Sequence, residues 1–169
     1  SSSDNLAVGA VCTGDAPMTL TVIIPTYNRP DCVRRCLACL MAQEPRPDQI
    51  IVVDASPDTR TRDVVAEFEG VEYLRNDSGY GHMTQSRNLG LTRAAGEVVA
   101  FLDDDAFAHP DWAKNLLSCY TDPSVGGVGG RALNRQPGEE AIGADRIGRF
   151  TANGELTGFF AADPGQVIE

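Results

Sequence analysis

Short apolar segments alternate with amphipathic ones along the first two thirds of the chain. Four of these segments predict strands. Two of them, 20–25 and 49–54, are apolar runs typical of strands buried on both faces of a sheet, whereas 71–74 predicts a weaker strand and 97–102 a fourth one. Between and after them, apolar residues recur at helical spacing, which predicts helices at 30–41, 61–68, 83–95 and 110–120. This alternation favours an α/β fold with a mostly parallel sheet and helices on both faces.

The pattern is weaker toward the end of the chain. We expect Gly96 to cap the third helix, a strand-like segment at 125–133, and a hairpin at 150–160 with Asn153-Gly154 in its turn. The chain then divides into a disordered leader at 1–17, an α/β domain at 18–133, and the start of a further region at 134–169.

Three of the predicted strands end in distinctive polar residues. The first ends at Pro25-Thr26-Tyr27-Asn28, the second ends at Asp54, and the fourth runs into Asp103-Asp104-Asp105. Ligands of open α/β sheets bind outside the carboxyl ends of the strands. We therefore expect these residues to share one edge of the sheet and to form a binding site there.

The triple aspartate has two interpretations. Three adjacent carboxylates repel one another unless they share a cation, and their hard oxygens suit Mg²⁺ or Mn²⁺. The alternative is a solvated acidic turn before the next helix. Asp54 and Arg87 also have structural alternatives, namely hydrogen bonds to loop amides for Asp54 and a surface ion pair for Arg87.

Composition narrows the function classes. The formal net charge of -10 argues against nucleic acid as a partner. The sequence contains no run of 18 or more apolar residues, so we predict no membrane span in it. Five cysteines, an odd count, together with the lack of a recognisable signal segment, lead us to expect reduced thiols and a cytoplasmic location. Peripheral membrane association through segments outside this chain stays open.

In order and spacing, several motifs resemble those of family 2 glycosyltransferases of the GT-A (Rossmann-like) fold. They are TVIIPTYNRPDCVRRCLACL, IIVVDASPD, SRNLGLTRAAGEVVAFLDDDAF, HPDW and the trailing VGGVGGRAL, and together they cover residues 20 to 133. The resemblance implies that residues 18–133 bind a nucleotide sugar and that 134–169 begin the acceptor side.

The resemblance also implies roles at the nucleoside end of the site. Pro25, Thr26 and Tyr27 would line the nucleobase pocket. Asp54 would hydrogen-bond the base, usually uracil. The family often has a second acidic residue after this one, whereas this chain has Ala55, a departure that we expect to alter base recognition.

At the phosphate end, the resemblance implies a D-x-D metal site. Asp105 would bind Mn²⁺ or Mg²⁺ directly with help from Asp103, while Asp104 would contact the ribose or support the metal ligands. Arg87 would lie near the donor. The implied reaction is an inverting transfer from a UDP-sugar to a hydroxyl of a saccharide, lipid or small-molecule acceptor, and we expect its catalytic base beyond Glu169.

Three other interpretations of the sequence stay open beside a glycosyltransferase. Cys32, Cys36 and Cys39 have the spacing of an iron–sulfur site in radical S-adenosylmethionine enzymes, although they also suit one buried helix face. A receiver-like phosphoryl-transfer domain would want a lysine near the last strand, yet the only lysine, Lys114, falls within a predicted helix. The third alternative is a fragment that binds nucleotide sugar without catalysis.

Overall fold

A computed structural model describes residues 18–122 and 124–130 and the backbone of two later strands, 146–150 and 156–161. The regular elements follow in chain order: β1 Leu20–Thr26, α1 Pro30–Met41, β2 Gln49–Asp54, α2 Arg60–Val65, β3 Val71–Arg75, α3 Met83–Leu91, β4 Val98–Phe101, α4 Trp112–Ser118, a 3₁₀ turn Cys119–Thr121, β5 Arg146–Phe150 and β6 Leu156–Ala161.

The first four strands form a single parallel sheet in the order β3-β2-β1-β4. Thr26 pairs with Asp54, and Ile23 pairs with Phe101, so β1, β2 and β4 end along one edge. The prediction of a mostly parallel α/β sheet is therefore confirmed. The polar residues that follow these strands are brought to the same edge, as parallel pairing requires.

Helices cover both faces of this sheet because successive side chains of each strand point to opposite sides. On one face, Val22, Ile24 and Val52 belong to a core cluster that includes the buried side of α1 and residues of α2 and α4. On the other face, Ile23, Ile51 and Val53 pack against Leu89 of α3 and its neighbours. The near-continuous apolar runs of the strands reflect this burial on both sides.

Gly96 does not cap a helix, so that prediction is wrong. The third helix ends at Leu91, with Thr92 at its C-cap. Gly96 instead lies against β1, where its N–H donates to Thr21 Oγ1 at 2.9 Å. A Cβ atom there would lie 2.7 Å from the Thr21 backbone nitrogen, so the position requires glycine for a close approach of two backbones.

The strand expected at 125–133 is absent from residues 125–130, which have no regular secondary structure, and residues 131–133 lie outside the described part. The Gly-rich sequence there offers few side chains to pack on a sheet, which explains the difference. The predicted leader at 1–17 also lies outside the described residues.

The chain divides into two compact units, the second beginning at Gly129. In the second unit β5 and β6 pair antiparallel, with Ile147 opposite Phe160, as a hairpin requires. The pairing begins at Arg146 rather than at 150, and the predicted Asn153-Gly154 turn lies outside the described residues. None of the described helices is long and apolar enough to cross a membrane.

Candidate active site

A cavity of about 450 Å³ lies at the carboxyl ends of β1 and β4. Six of the residues predicted for the site line it: Pro25, Thr26, Tyr27, Asp103, Asp104 and Asp105. They come from two segments nearly eighty positions apart in the sequence, and the parallel pairing of β1 with β4 brings them together. Asp54 and Arg87 are not part of this lining.

Asp104 is the buried member of the triple aspartate, with 6% of its surface exposed. It accepts a hydrogen bond from Thr26 Oγ1 at 2.7 Å and another from Arg29 Nη1 at 3.2 Å. Burial raises the pKa of Asp104, while the bonds from Thr26 and Arg29 oppose that rise. Asp104 thus ties the loop after β4 to the end of β1.

Asp103 and Asp105 differ from Asp104 because their side chains are each 59% exposed. Asp105 Oδ2 lies 2.9 Å from Arg29 Nη1, and Asp103 Oδ1 lies 3.3 Å from Arg87 Nη2. Each exposed carboxylate therefore has a guanidinium as its counter-charge. Both line the cavity with oxygens that remain accessible to a ligand.

Asp54 is fully buried and organises the loops around the cavity. Its Oδ1 accepts hydrogen bonds from both the backbone N–H and the hydroxyl of Ser56, and its Oδ2 accepts one from the Tyr73 hydroxyl at 2.9 Å. The next residue, Ala55, lines the cavity in its place. These contacts match the structural alternative for Asp54, and its role toward a nucleobase stays a prediction.

Arg87 lies on α3, beside the cavity rather than in it. Its guanidinium stacks over the Phe101 ring at 5.6 Å and pairs with Asp103. Its Nε atom is buried and has no hydrogen-bond partner among the described residues. These contacts hold the Arg87 side chain in place, where it supports Asp103. The proximity of Arg87 to a donor stays a prediction.

The loop between β3 and α3 forms a wall of the cavity that sequence reasoning did not assign. Gly79, Tyr80, Gly81 and His82 all line it. Tyr80 is 80% exposed, and its ring meets the ring of Tyr27 edge to face, with centroids 5.2 Å apart. Gly79 and Gly81 have φ angles of 74° and 85°, which only glycine adopts readily. An aromatic residue between two such glycines was the available signal.

Arg29 is the second functional candidate that sequence reasoning missed. It follows β1 directly, lines the cavity, and bridges Asp104 and Asp105 through one nitrogen. The only signal in the sequence was a basic residue after the polar end of a strand. Its significance depends on the approach of residues more than seventy positions away, which a single sequence does not display.

No group of three or more His, Cys, Asp or Glu side chains within the described ranges is arranged to hold a metal ion. This applies to Cys32, Cys36 and Cys39, whose middle thiol is buried in the core cluster that α1 covers. Burial raises the pKa of Cys36 to about 12, which disfavours the thiolate that a cluster needs. The iron–sulfur alternative therefore has no structural support.

Comparison with known proteins points to one family. The model of glycosyl transferase family 2 matches residues 21–161. The validoxylamine A glucosyltransferase of Streptomyces hygroscopicus subsp. limoneus is 37% identical over 112 residues, covering 62% of this chain and 24% of that protein. The chain spans less than half the length of the curated relatives that it matches.

Solved structures agree with the sequence matches. A mannosyltransferase from Pyrobaculum calidifontis, in complex with GDP-Man and Mn²⁺, is 27% identical with a TM-score of 0.58, over 65% of this chain and 34% of that one. TarS of S. aureus in complex with UDP is 28% identical with a TM-score of 0.54, over 60% of this chain and 31% of that one. Since the family model spans most of the sequence and the sheet is that of GT-A enzymes, the chain belongs to glycosyl transferase family 2.

Proposed function

We propose that this chain forms the donor-binding part of a metal-dependent, inverting glycosyltransferase that uses a UDP-sugar. One observation carries the proposal: the exposed carboxylates of Asp103 and Asp105 line the same cavity as the aromatic rings of Tyr27 and Tyr80. A nucleoside diphosphate needs both features, because its base is flat and apolar while its phosphates require counter-charge. The cavity lies where α/β sheets bind such ligands.

The residues present fit Mn²⁺ or Mg²⁺. Mg²⁺ in phosphate-binding sites is commonly held by one or two carboxylates, and substrate phosphates and water complete its coordination. The two half-exposed carboxylates of Asp103 and Asp105 line the cavity and match such a donor set. Asp105 would bind the cation directly, and Asp103 would bind it directly or through water.

The nucleoside end of the cavity is built from the end of β1 and the glycine loop. Pro25, Thr26 and Tyr27 form one wall, Tyr80 stands at the rim, and Ala55 contributes a small side chain. Related structures hold UDP in TarS and GDP-Man in the mannosyltransferase, so a nucleoside diphosphate is the common chemistry. UDP is our choice because the resemblance of the motifs favours it, and GDP is the comparison to test.

The proposed reaction is a direct displacement at the anomeric carbon. An acceptor hydroxyl attacks from the face opposite the leaving nucleotide, the glycosidic bond to phosphate breaks, and configuration inverts. A bound divalent cation would offset the charge that develops on the leaving diphosphate. Arg29 and Arg87 add positive charge beside it, and Asp104 holds the loop that carries both carboxylates.

The acceptor in this proposal is a saccharide, a lipid or a small molecule with a free hydroxyl. A carboxylate must take the proton of that hydroxyl as the new bond forms. We assign this base to none of the described residues, because Asp103, Asp104 and Asp105 already serve the cation and the fold of the site. Three acidic residues of the later region, Glu155, Asp163 and Glu169, lie outside the described part of the chain.

Calorimetric titration of UDP into the protein, first with Mn²⁺ and then with EDTA, tests the proposal. We expect binding that disappears when the metal is removed. GDP and dTDP, titrated under the same conditions, test the choice of base. If a folded sample binds none of the three nucleotides with metal present, the proposal is wrong; tighter binding of GDP than of UDP would retain the donor site and correct its base.

A further inference from the structure

Arg29 is placed between the loop after β1 and the triple aspartate. Its Nη1 atom lies 2.9 Å from Asp105 Oδ2 and 3.2 Å from Asp104 Oδ1. The side chain is 54% exposed and forms part of the cavity wall. A single guanidinium nitrogen therefore supplies the counter-charge of two adjacent carboxylates, one of which is the principal metal ligand of the proposed function.

The two carboxylates are not equally free to change partner. Asp104 is buried and accepts a second hydrogen bond, from Thr26, that does not involve Arg29. Asp105 is exposed, and Arg29 is the only described partner of its side chain. A divalent cation that approaches Asp105 must therefore compete with Arg29 for that carboxylate.

Release from Asp105 would leave a permanent positive charge in the cavity, because a guanidinium does not lose its proton in this setting. Asp104 first, and then Asp105, raise the pKa of Arg29 still further. A diphosphate is the ligand that such a charge favours, since a guanidinium pairs with phosphate oxygens through parallel hydrogen bonds. Arg29 already lines the wall that a donor phosphate would face.

On the basis of the proposed function, we propose that Arg29 exchanges partners during donor binding. It holds Asp105 while the cation is absent, and it moves to the donor diphosphate when the cation takes Asp105. Arg29 is thus a positioning residue that couples metal binding to nucleotide binding. The consequence is a site that binds the metal weakly by itself and more tightly together with a nucleotide.

Arg87 is not suited to the same exchange. Its guanidinium lies over the Phe101 ring and its Nε atom is buried, so its position is fixed by packing. The Arg29 side chain is more exposed than that of Arg87, 54% against 38%, and only the two aspartates hold its end among the described residues. The difference singles out Arg29 as the mobile counter-charge.

Arg29→Gln tests the exchange because it predicts opposite effects on two ligands. With Mn²⁺ alone, followed by electron paramagnetic resonance of the free ion, we expect binding about two- to fivefold tighter, since a half-exposed competing ion pair is lost. With UDP at saturating Mn²⁺, followed by calorimetry, we expect binding at least about tenfold weaker, since a charge-assisted bond to phosphate is lost. Arg29→Lys, which keeps a charge, should restore part of the UDP binding.

Arg34→Gln is the matched control. Arg34 lies on α1, where it pairs with Asp31 and Glu67 and does not line the cavity. The same chemical change there should leave both titrations unaltered. Circular dichroism of each variant shows whether the fold is retained, so a loss of binding can be assigned to the site.

Each result decides the proposal. Unchanged or weaker Mn²⁺ binding by Arg29→Gln would overturn it, as would unchanged UDP binding. If the variant binds both Mn²⁺ and UDP more weakly, Arg29 only supports the structure of the loop. Absence of Mn²⁺ binding in wild type and variant alike would also overturn it. If the wild type binds Mn²⁺ but no nucleotide, the proposed function fails, and tighter Mn²⁺ binding by the variant still supports the competition at Asp105.

Discussion

At the scale of single residues, three consecutive aspartates occupy two different environments. Asp104 is buried and bonded to Thr26, whereas Asp103 and Asp105 are exposed and each paired with an arginine. The same side chain thus serves the fold at one position and is available to a ligand at the next. Burial, which no single sequence displays, decides between the two uses.

Substitution of Asp105 should separate binding from stability. We expect Asp105→Ala to abolish metal-dependent UDP binding, because the exposed carboxylate is the principal ligand of the cation in our proposal. The free energy of unfolding should change by less than about 0.5 kcal/mol, as is usual for an exposed side chain. Calorimetry with Mn²⁺ and urea denaturation measure the two quantities.

Asp104→Ala is the matched comparison one position away. It removes the acceptor of the Thr26 hydroxyl at a buried site, which should cost about 1–3 kcal/mol of stability. If Asp105→Ala binds UDP and Mn²⁺ as well as the wild type, our metal assignment is wrong. If the two variants lose stability equally, the distinction between a buried anchor and an exposed ligand does not hold.

At the scale of elements, the buried strands were the most predictable part of the molecule. The second strand was predicted with its observed bounds, Gln49–Asp54, because a continuous apolar run has one stable placement in a parallel sheet. The first helix began at Pro30 as predicted, since proline is suited to a first helical turn. Apolar burial is a local signal, and here it was sufficient.

The cavity wall was less predictable because it depends on contacts between distant segments. Arg29 acquires its role from Asp104 and Asp105, and the loop around Tyr80 reaches the cavity only because α3 packs on the sheet. Asp54 ends its strand as predicted, but its carboxylate is bonded to Ser56 and Tyr73. The end of this strand was predicted, whereas the sequence left two alternatives open for the direction of the Asp54 side chain.

The close approach of Gly96 to β1 gives a prediction for the packing of an element. Gly96→Ala should destabilise the protein by about 1–3 kcal/mol, because the new Cβ would lie 2.7 Å from the Thr21 nitrogen, and backbone atoms must shift to accommodate it. The φ angle of Gly96 is outside the left-handed region, so the cost is steric rather than conformational. Urea denaturation measures the change.

Gly126→Ala provides the comparison, because no described atom lies within 4 Å of the position that its Cβ would occupy, and its φ angle is also ordinary. This variant should be as stable as the wild type or slightly more so, since alanine reduces the freedom of the unfolded chain. Equal stability of the Gly96 and Gly126 variants would show that β1 yields to the added methyl without cost.

At the scale of the whole molecule, fold and cavity belong to the same unit. Every residue that lines the cavity lies between Pro25 and Asp105, and both core clusters lie between Leu20 and the end of α4, all within the unit that closes at Val128. The second unit contributes a separate antiparallel pair. Donor binding and folding are therefore expected from the first unit by itself.

A chain shortened to residues 18–128 tests this separation. We expect cooperative unfolding in urea, because the sheet and the helices on both of its faces are retained. We also expect its affinity for UDP with Mn²⁺ to stay within about threefold of that of the 169-residue chain, because every residue that lines the cavity is retained. A threefold change corresponds to less than about 1 kcal/mol. A shortened chain that folds but no longer binds would show that residues after Val128 complete the donor site. Failure to fold would instead mean that the later residues stabilise the sheet itself, and the unit would then be a region of the fold rather than an independent domain.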